Sequence, residues 1–222
     1  MAAAGRLTAE LITKSPQYMS CTDDYTLGLR AHKLAVIENL GATENQFDCI
    51  DLTDNDITRL DGFPTLRKVK ALLISNNRVR RITPNLAERL PNLETLILTN
   101  NCLADVSELT PLAACKHLTV LSLLGNPVSE VAQYRLHVVR LLPQLKSLDF
   151  TRVKSGERKL AAGVGEPGVG PSSAQARGGG ADASDNSEMA KRRAELKIAI
   201  ANATSLDEVT KLEEELLALQ SG

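Results

Sequence analysis

Rings are scarce in this 222-residue sequence: it has no tryptophan and six aromatic residues, Tyr18, Tyr25, Phe47, Phe63, Tyr134 and Phe150. Readers of single-stranded nucleic acid need rings on which unpaired bases stack, so the shortage argues against base reading by this chain. Long apolar runs are also missing, and none reaches the roughly 18 residues that a membrane span requires. The first fourteen residues hold no apolar core of a signal peptide, because Arg6, Thr8, Glu10 and Lys14 interrupt them, which points away from secretion. No charge of one sign prevails. The net charge is -1, which excludes a polybasic chain or an acidic tail. Cys21, Cys49, Cys102 and Cys115 contain no C-x-x-C pair. That is neither a zinc spacing nor a disulfide framework, and it fits free thiols in a reducing compartment.

What is abundant is leucine. Of 35 leucines, 28 fall in residues 1–155, and they recur in a fixed frame. Aligned on Asn55, Asn77, Asn101 and Asn126, an apolar residue stands eight, five and three positions before each asparagine. These are Phe47, Ile50 and Leu52; Val69, Leu72 and Ile74; Leu93, Leu96 and Leu98; and Leu118, Leu121 and Leu123. Two and five positions after it come Ile57 and Leu60, Val79 and Ile82, Leu103 and Val106, and Val128 and Val131. This is L-x-x-L-x-L-x-x-N-x-L, the leucine-rich repeat, and the spacings of 22, 24 and 25 residues sit inside its usual range of roughly 20–29. Two degenerate units flank the four. Leu27, Leu29, Leu34 and Ile37 put His32 at the asparagine position, as a turn residue in its place. Leu145, Leu148 and Phe150 supply a last strand.

One such unit cannot bury its apolar side alone, so the units must stack. Strands neighbour each other at about 4.8 Å, whereas helical return segments need about 8–10 Å, and the mismatch bends the stack with the sheet inside. The expected fold is therefore α/β: a leucine-rich repeat solenoid, a short right-handed horseshoe with a concave parallel β-sheet. Leu7–Ser15 reads as an N-terminal capping helix with Thr8 as N-cap. Pro127–Leu142, with Val128, Val131, Leu136 and Val139 inward, reads together with Leu145–Phe150 as a C-terminal helical cap. Three segments result: residues 1–155, the repeat domain with its caps; 156–187, a flexible linker rich in glycine, alanine and serine; and 188–222, an amphipathic helical hairpin. The hairpin has Ser205 and Glu208 at capping-box spacing.

The sequence carries little catalytic chemistry. Gly163–Gly168 matches G-x-G-x-x-G but follows no strand and opens no helix, as a dinucleotide site requires. His32, His117 and His137 stand apart from one another and from any cysteine cluster, and there is no nucleophile elbow or P-loop. Asn202–Thr204 fits a glycosylation sequon, which has no meaning without secretion. No catalytic, cofactor or metal residue is assigned, and the chain is read as a non-enzyme.

The residues that the fold leaves free are more informative. On the concave face the column four before each asparagine reads Gly28, Asp51, Leu73, Ile97, Ser122 and Asp149, and the column two before reads Arg30, Thr53, Ser75, Thr99, Leu124 and Thr151. Leu73, Ile97 and Leu124, with Val120 beside them, make an apolar patch. Arg30, Asp51, Thr53, Asp54, Ser75 and Thr99 rim it. An apolar centre within a polar rim is the anatomy of a protein interface. Basic residues form two groups: Arg67, Lys68, Lys70, Arg78, Arg80 and Arg81 on the repeat loops, and Arg135, Arg140, Lys146, Arg152, Lys154, Arg158 and Lys159 near the C-terminal cap. No rings are interleaved with them, which leaves phosphate contact as their nucleic-acid role.

The wording of the units narrows the family. Leu7-Thr8-Ala9-Glu10-Leu11-Ile12, Val36-Ile37-Glu38-Asn39-Leu40-Gly41-Ala42-Thr43, Leu60-Asp61-Gly62-Phe63-Pro64 and Glu94-Thr95-Leu96-Ile97-Leu98-Thr99-Asn100-Asn101 are joined by Asn126-Pro127-Val128, Tyr134-Arg135-Leu136 and Leu148-Asp149-Phe150. Together they resemble the A-prime family of the U2 small nuclear ribonucleoprotein, a leucine-rich repeat family of the spliceosome. The resemblance covers about residues 6–155 closely. It implies a non-catalytic scaffold of pre-mRNA splicing in the nucleus. The concave face would grip a helix of an RNA-recognition-motif partner of the B-double-prime type, and the heterodimer would bind a stem-loop of the U2 RNA. The tail would meet other spliceosomal proteins, and no membrane is involved. Carried over by position, Leu73, Ile97, Thr99 and Leu124 would touch the partner, and Arg152 and Lys154 would touch RNA phosphate. Gly125 stands where a larger basic residue would be expected. The alternative is an adaptor or regulatory subunit for a phosphatase or a cytoskeletal partner.

Overall fold

The computed structural model describes residues 5–163. The tail hairpin, the greater part of the expected linker and the sequon lie outside the described residues. Helix α1 (Ala9–Lys14) opens the fold, and it starts where it does because the Thr8 hydroxyl accepts the Leu11 N–H at 3.1 Å. Strand β1 (Gln17–Met19) follows, then β2 (Tyr25–Gly28) and β3 (Cys49–Asp51). Further on come β4 (Arg59–Leu60), β5 (Ala71–Leu73), β6 (Arg81–Ile82), the one-turn α2 (Leu86–Arg89), β7 (Thr95–Ile97) and β8 (Val120–Ser122). Helix α3 (Tyr134–Leu141), β9 (Ser147–Leu148), β10 (Thr151–Arg152) and α4 (Ser155–Ala162) close the described part.

The main sheet runs β1-β2-β3-β5-β7-β8-β9-β10, and β4 pairs with β6 in a second small sheet. From β2 to β9 every pairing in the main sheet is parallel and in register by repeat, so Ile50, Leu72, Leu96 and Leu121 are successive neighbours. These four, and the other residues eight, five and three before and two after each asparagine, are all buried. The repeat frame is thus the core itself. Return segments are short and partly 3-10: Leu40–Thr43, Val106–Ala114 and Pro127–Glu130.

The asparagines hold the turns. Asn101 is typical: its Oδ1 accepts the Val79 N–H of the preceding unit at 2.9 Å, and its Nδ2 donates to Ile74 O at 2.8 Å and Leu98 O at 3.0 Å. Asn55, Asn77 and Asn126 repeat the scheme. A primary amide offers two donors and an acceptor, which is what a buried turn between two units needs. His32 joins this ladder through its backbone N–H, which donates to Asn55 Oδ1 at 3.1 Å; its ring takes no part, contrary to expectation.

Both ends depart from the frame. At the N-terminal edge β1 runs antiparallel to β2, so the first parallel strand is not the sheet's edge. At the other end the chain is not one inward-facing helix from Pro127 to Leu142. Gln133 takes φ +56° and breaks it. Val131, expected inward, is 40% exposed and Leu136 only half-buried, while Tyr134 and Val138 fill the core alongside Val128 and Val139. Phe150, expected inward, is instead at the tip of the antiparallel β9–β10 hairpin and 67% exposed. The expected linker start at residue 156 falls inside α4. That helix is ordered by its pairing with the cap: the Glu157 carboxylate takes the Arg135 guanidinium, and Arg158 donates to Pro143 O and Leu145 O.

Candidate functional site

The strand pattern alternates between core and open face, and the open face gathers most of the residues singled out above. Leu73 and Ile97 are direct neighbours on β5 and β7, and Val120 lies on β8 beside Thr95. All three are half-buried, and Leu124, just past the end of β8, is 42% exposed. They form one apolar patch crossing three successive units. Thr99 and Ser75 are half-buried beside it, and the Thr99 hydroxyl meets the Ser122 hydroxyl at 3.0 Å. Ser122 is itself fully buried, so that polar pair supports the patch from below.

Not every candidate is displayed. Thr53 is buried and therefore cannot offer a free surface. Asp51 is half-buried, and its Oδ1 accepts the Thr53 N–H at 2.9 Å; its first role is to hold the exit of β3. Arg30 is exposed and ion-paired: its Nε donates to Asp54 Oδ2 at 2.7 Å.

That ion pair begins a polar ladder which the sequence reading left out. Asn76 Nδ2 donates to Asp54 Oδ1 at 2.6 Å, and Asn100 Nδ2 donates to Asn76 Oδ1 at 2.9 Å. Ala31, Asp54, Asn76, Asn100 and Gly125 hold corresponding places immediately before the turn residue, and all have φ between +54° and +69°. The ladder ends at Gly125 for a steric reason. A β-carbon there would lie 2.2 Å from Asn100 Oδ1, so the place where a larger basic residue was expected is filled by the neighbouring amide. Asn76 and Arg30 hold the Asp54 carboxyl below its ordinary value by hydrogen bonding, and Asp54 in turn raises Arg30. The apolar patch is thus edged on one side by a continuous row of hydrogen-bonded polar groups.

At the first strands the face is partly covered. The Tyr18 ring packs where Gly28 leaves room: a β-carbon at Gly28 would stand 3.5 Å from its Cε1. Tyr18 keeps 47% of its surface exposed and is a second site residue missed in the sequence, where nothing marked β1 as a strand of the same sheet. Cys49, buried on the same side, has its thiol pushed up to about 11 by burial.

At the far end Arg152 pairs with Ser147, and Ser147 with Val120. Arg152 therefore projects on the same side as the patch, while Lys154 sits at the N-cap of α4; both are exposed. The rest of that basic group divides. Arg135 is consumed by Leu148 O at 2.8 Å, Thr151 O at 3.2 Å and Glu157, and Arg158 by the carbonyls named above. The basic residues of the repeat loops spread around the stack: Lys70 pairs with Asp48 at 3.3 Å and Arg78 with Asp56 at 3.1 Å. A cavity of about 430 Å³ opens elsewhere, among Asn39, Gly41, Asp61, Phe63, Thr83 and Arg89, and it contains none of the candidate residues. No group of three or more His, Cys, Asp or Glu able to hold a metal ion occurs among the described residues.

Comparison with known proteins agrees with this architecture. A leucine-rich repeat family model matches residues 4–168. The U2 small nuclear ribonucleoprotein A' of Arabidopsis thaliana is 43% identical over 223 residues, covering 95% of this chain and 90% of the relative. That of Mus musculus is 46% identical over 236 residues, covering 98% and 88%. Among solved structures, the Drosophila melanogaster SNF/U2A' complex contains a chain 46% identical to this one, with a TM-score of 0.70, covering 71% of this chain and 91% of that one.

Proposed function

This chain belongs to the U2 small nuclear ribonucleoprotein A' family of leucine-rich repeat proteins, a splicing component, and from that premise we propose how it works. It is a non-catalytic nuclear scaffold. Its open sheet face holds a helix of an RNA-recognition-motif protein of the B-double-prime type, and the pair binds a U2 RNA stem-loop. The relative solved in complex with SNF supports a protein partner on this fold.

The observation that carries the reading is the patch of Leu73, Ile97, Val120 and Leu124 on a face that no other element among the described residues packs over. Six parallel strands at about 4.8 Å extend over roughly 29 Å, enough to seat a helix about 10–12 Å across. Completing the burial of each aliphatic contributes at most about 1.5–3 kcal/mol, and a few such residues suffice as the anchors of an interface. Arg152 and Lys154 lie at one end, where the RNA phosphates of the complex would meet them.

The test is Leu73→Asp combined with Ile97→Asp. Neither side chain belongs to the buried core, whose residues on the same strands are Leu72 and Leu96. The variant should keep its circular dichroism and melt within a few degrees of the parent, while calorimetric titration with the partner shows no binding. Retained partner affinity would remove the open face as the docking surface. Alone, the chain should bind the stem-loop poorly, and with its partner well.

A further inference from the structure

The β9–β10 hairpin turns on Asp149 and Phe150, both in the left-handed region at φ +52° and +59°. Two central residues with positive φ make a type I' turn, where Asp-Gly is a favoured pair because only glycine takes the second place without strain. Asp149 has a structural reason to be there: its carboxylate accepts the Leu123 N–H at 2.7 Å and the Tyr134 O–H at 2.9 Å. Phe150 has none. It is the most exposed large hydrophobic side chain among the described residues. A bulky side chain in left-handed backbone is strained, and a ring facing water returns nothing to the fold. Strain that is not repaid by burial points to a use outside the chain.

The surroundings indicate which use. Leu121 is in register with Leu148, so the turn stands level with the exit of β8. Arg152 and Lys154 follow it, and Lys146 precedes the hairpin; all three are exposed and in no ion pair among the described residues. The Asp149 carboxylate is occupied as described, and that of Glu157 is taken by Arg135 and by the Lys154 N–H at 3.3 Å. An exposed ring among unneutralised cations suits an unpaired nucleotide, whose base stacks on the ring while the flanking phosphates meet the cations. We propose that Phe150, with Arg152 and Lys154, forms a stacking platform for an unpaired base of the RNA bound by the complex. This rests on the function proposed above, and it reverses the expectation that the chain offers no ring to RNA.

The experiment uses the full chain with its partner and a U2 stem-loop carrying 2-aminopurine at each unpaired base in turn. One position should be quenched on binding with the parent complex. Phe150→Gly should abolish that quenching and weaken RNA binding roughly five- to 150-fold, Phe150→Tyr should preserve both, and the melting midpoint of Phe150→Gly should equal or exceed that of the parent. A midpoint well below the parent would give the ring to the fold and overturn the inference. Weaker partner binding by Phe150→Gly without RNA would make the ring a protein anchor, and unchanged RNA affinity would leave it no role; either overturns it. A parent complex that binds no RNA fails the function itself, a result visible before any variant is compared.

Discussion

Replacing Asn101 by alanine should damage the fold far more than replacing its neighbour Asn100. Asn101 is buried, and two of its bonds have no substitute among the described residues. Without it the Val79 N–H, in a fully buried residue, loses its acceptor, and Ile74 O loses its donor. Leu98 O is less affected, because Asn126 Nδ2 also donates to it at 2.8 Å. Two orphaned buried groups at about 1–3 kcal/mol each give a loss of roughly 2–6 kcal/mol, a large share of the roughly 5–15 kcal/mol that holds a domain together. For a domain of this size each kcal/mol lowers the melting midpoint by about 2–4 °C. Asn100 is exposed and donates one side-chain bond, to Asn76, so Asn100→Ala should cost no more than about 1 kcal/mol. Asn101→Asp is the sharper control. It keeps the acceptor for Val79 but puts a carboxylate against two carbonyls, and should be at least as harmful as alanine. With no tryptophan to report, far-ultraviolet circular dichroism on heating and in urea is the assay. Equal losses for Asn100→Ala and Asn101→Ala, or a tolerated Asn101→Asp, would refute the idea that the asparagines act by satisfying buried turn groups.

Two further predictions follow from single sites. Gly125→Ala must put a β-carbon 2.2 Å from Asn100 Oδ1 at a φ of +69°, and should destabilise by about 1–3 kcal/mol through backbone strain and displacement of that amide. In an Asn100→Ala background the cost should be smaller, and strict additivity in the melting data would count against the clash. The thiols should separate by reactivity. Burial pushes Cys49 and Cys115 up to about 11; a raised value means more protonated thiol, so at pH 8 only about one in a thousand is thiolate. Iodoacetamide followed by peptide mass mapping should find exposed Cys21 modified in the native protein and these two modified only after denaturation.

The interior of the stack was legible because every inner unit has the same neighbours. Leu72 packs between Ile50 and Leu96 as Leu96 packs between Leu72 and Leu121, so one frame settled burial for all four units. The apolar patch followed from the same frame, since Leu73, Ile97 and Leu124 are aliphatic at places the core does not require. What the frame missed was set by backbone conformation. Offset along the repeat marks the open-face columns but says nothing of φ, so it does not reveal the ladder of Asp54, Asn76 and Asn100, although the three residues hold the same place in successive units. Thr53 shows the opposite error. It occupies an open-face column, and burial by its surroundings removes it from the surface.

The terminal units fail the frame for a reason that also bears on charge. A last strand has no following unit to accept its bonds, and local groups must stand in. Along the sheet the N–H three before each asparagine donates to a carbonyl of the next unit, as Leu52 does to Leu73 and Leu98 to Ser122. Leu123 finds instead the side chain of Asp149, because the chain has already turned. The carbonyls of Leu148, Thr151, Pro143 and Leu145 are likewise taken by Arg135 and Arg158. Two of the seven cations grouped by sequence at this end are therefore part of the closure and unavailable to any phosphate. A basic cluster at the end of a solenoid overstates the charge offered to nucleic acid until the bonds that close the last unit are subtracted. After that subtraction Arg152 and Lys154 still stand in solvent, and at the hairpin tip just before them stands the exposed ring of Phe150 that the repeat frame had placed in the core.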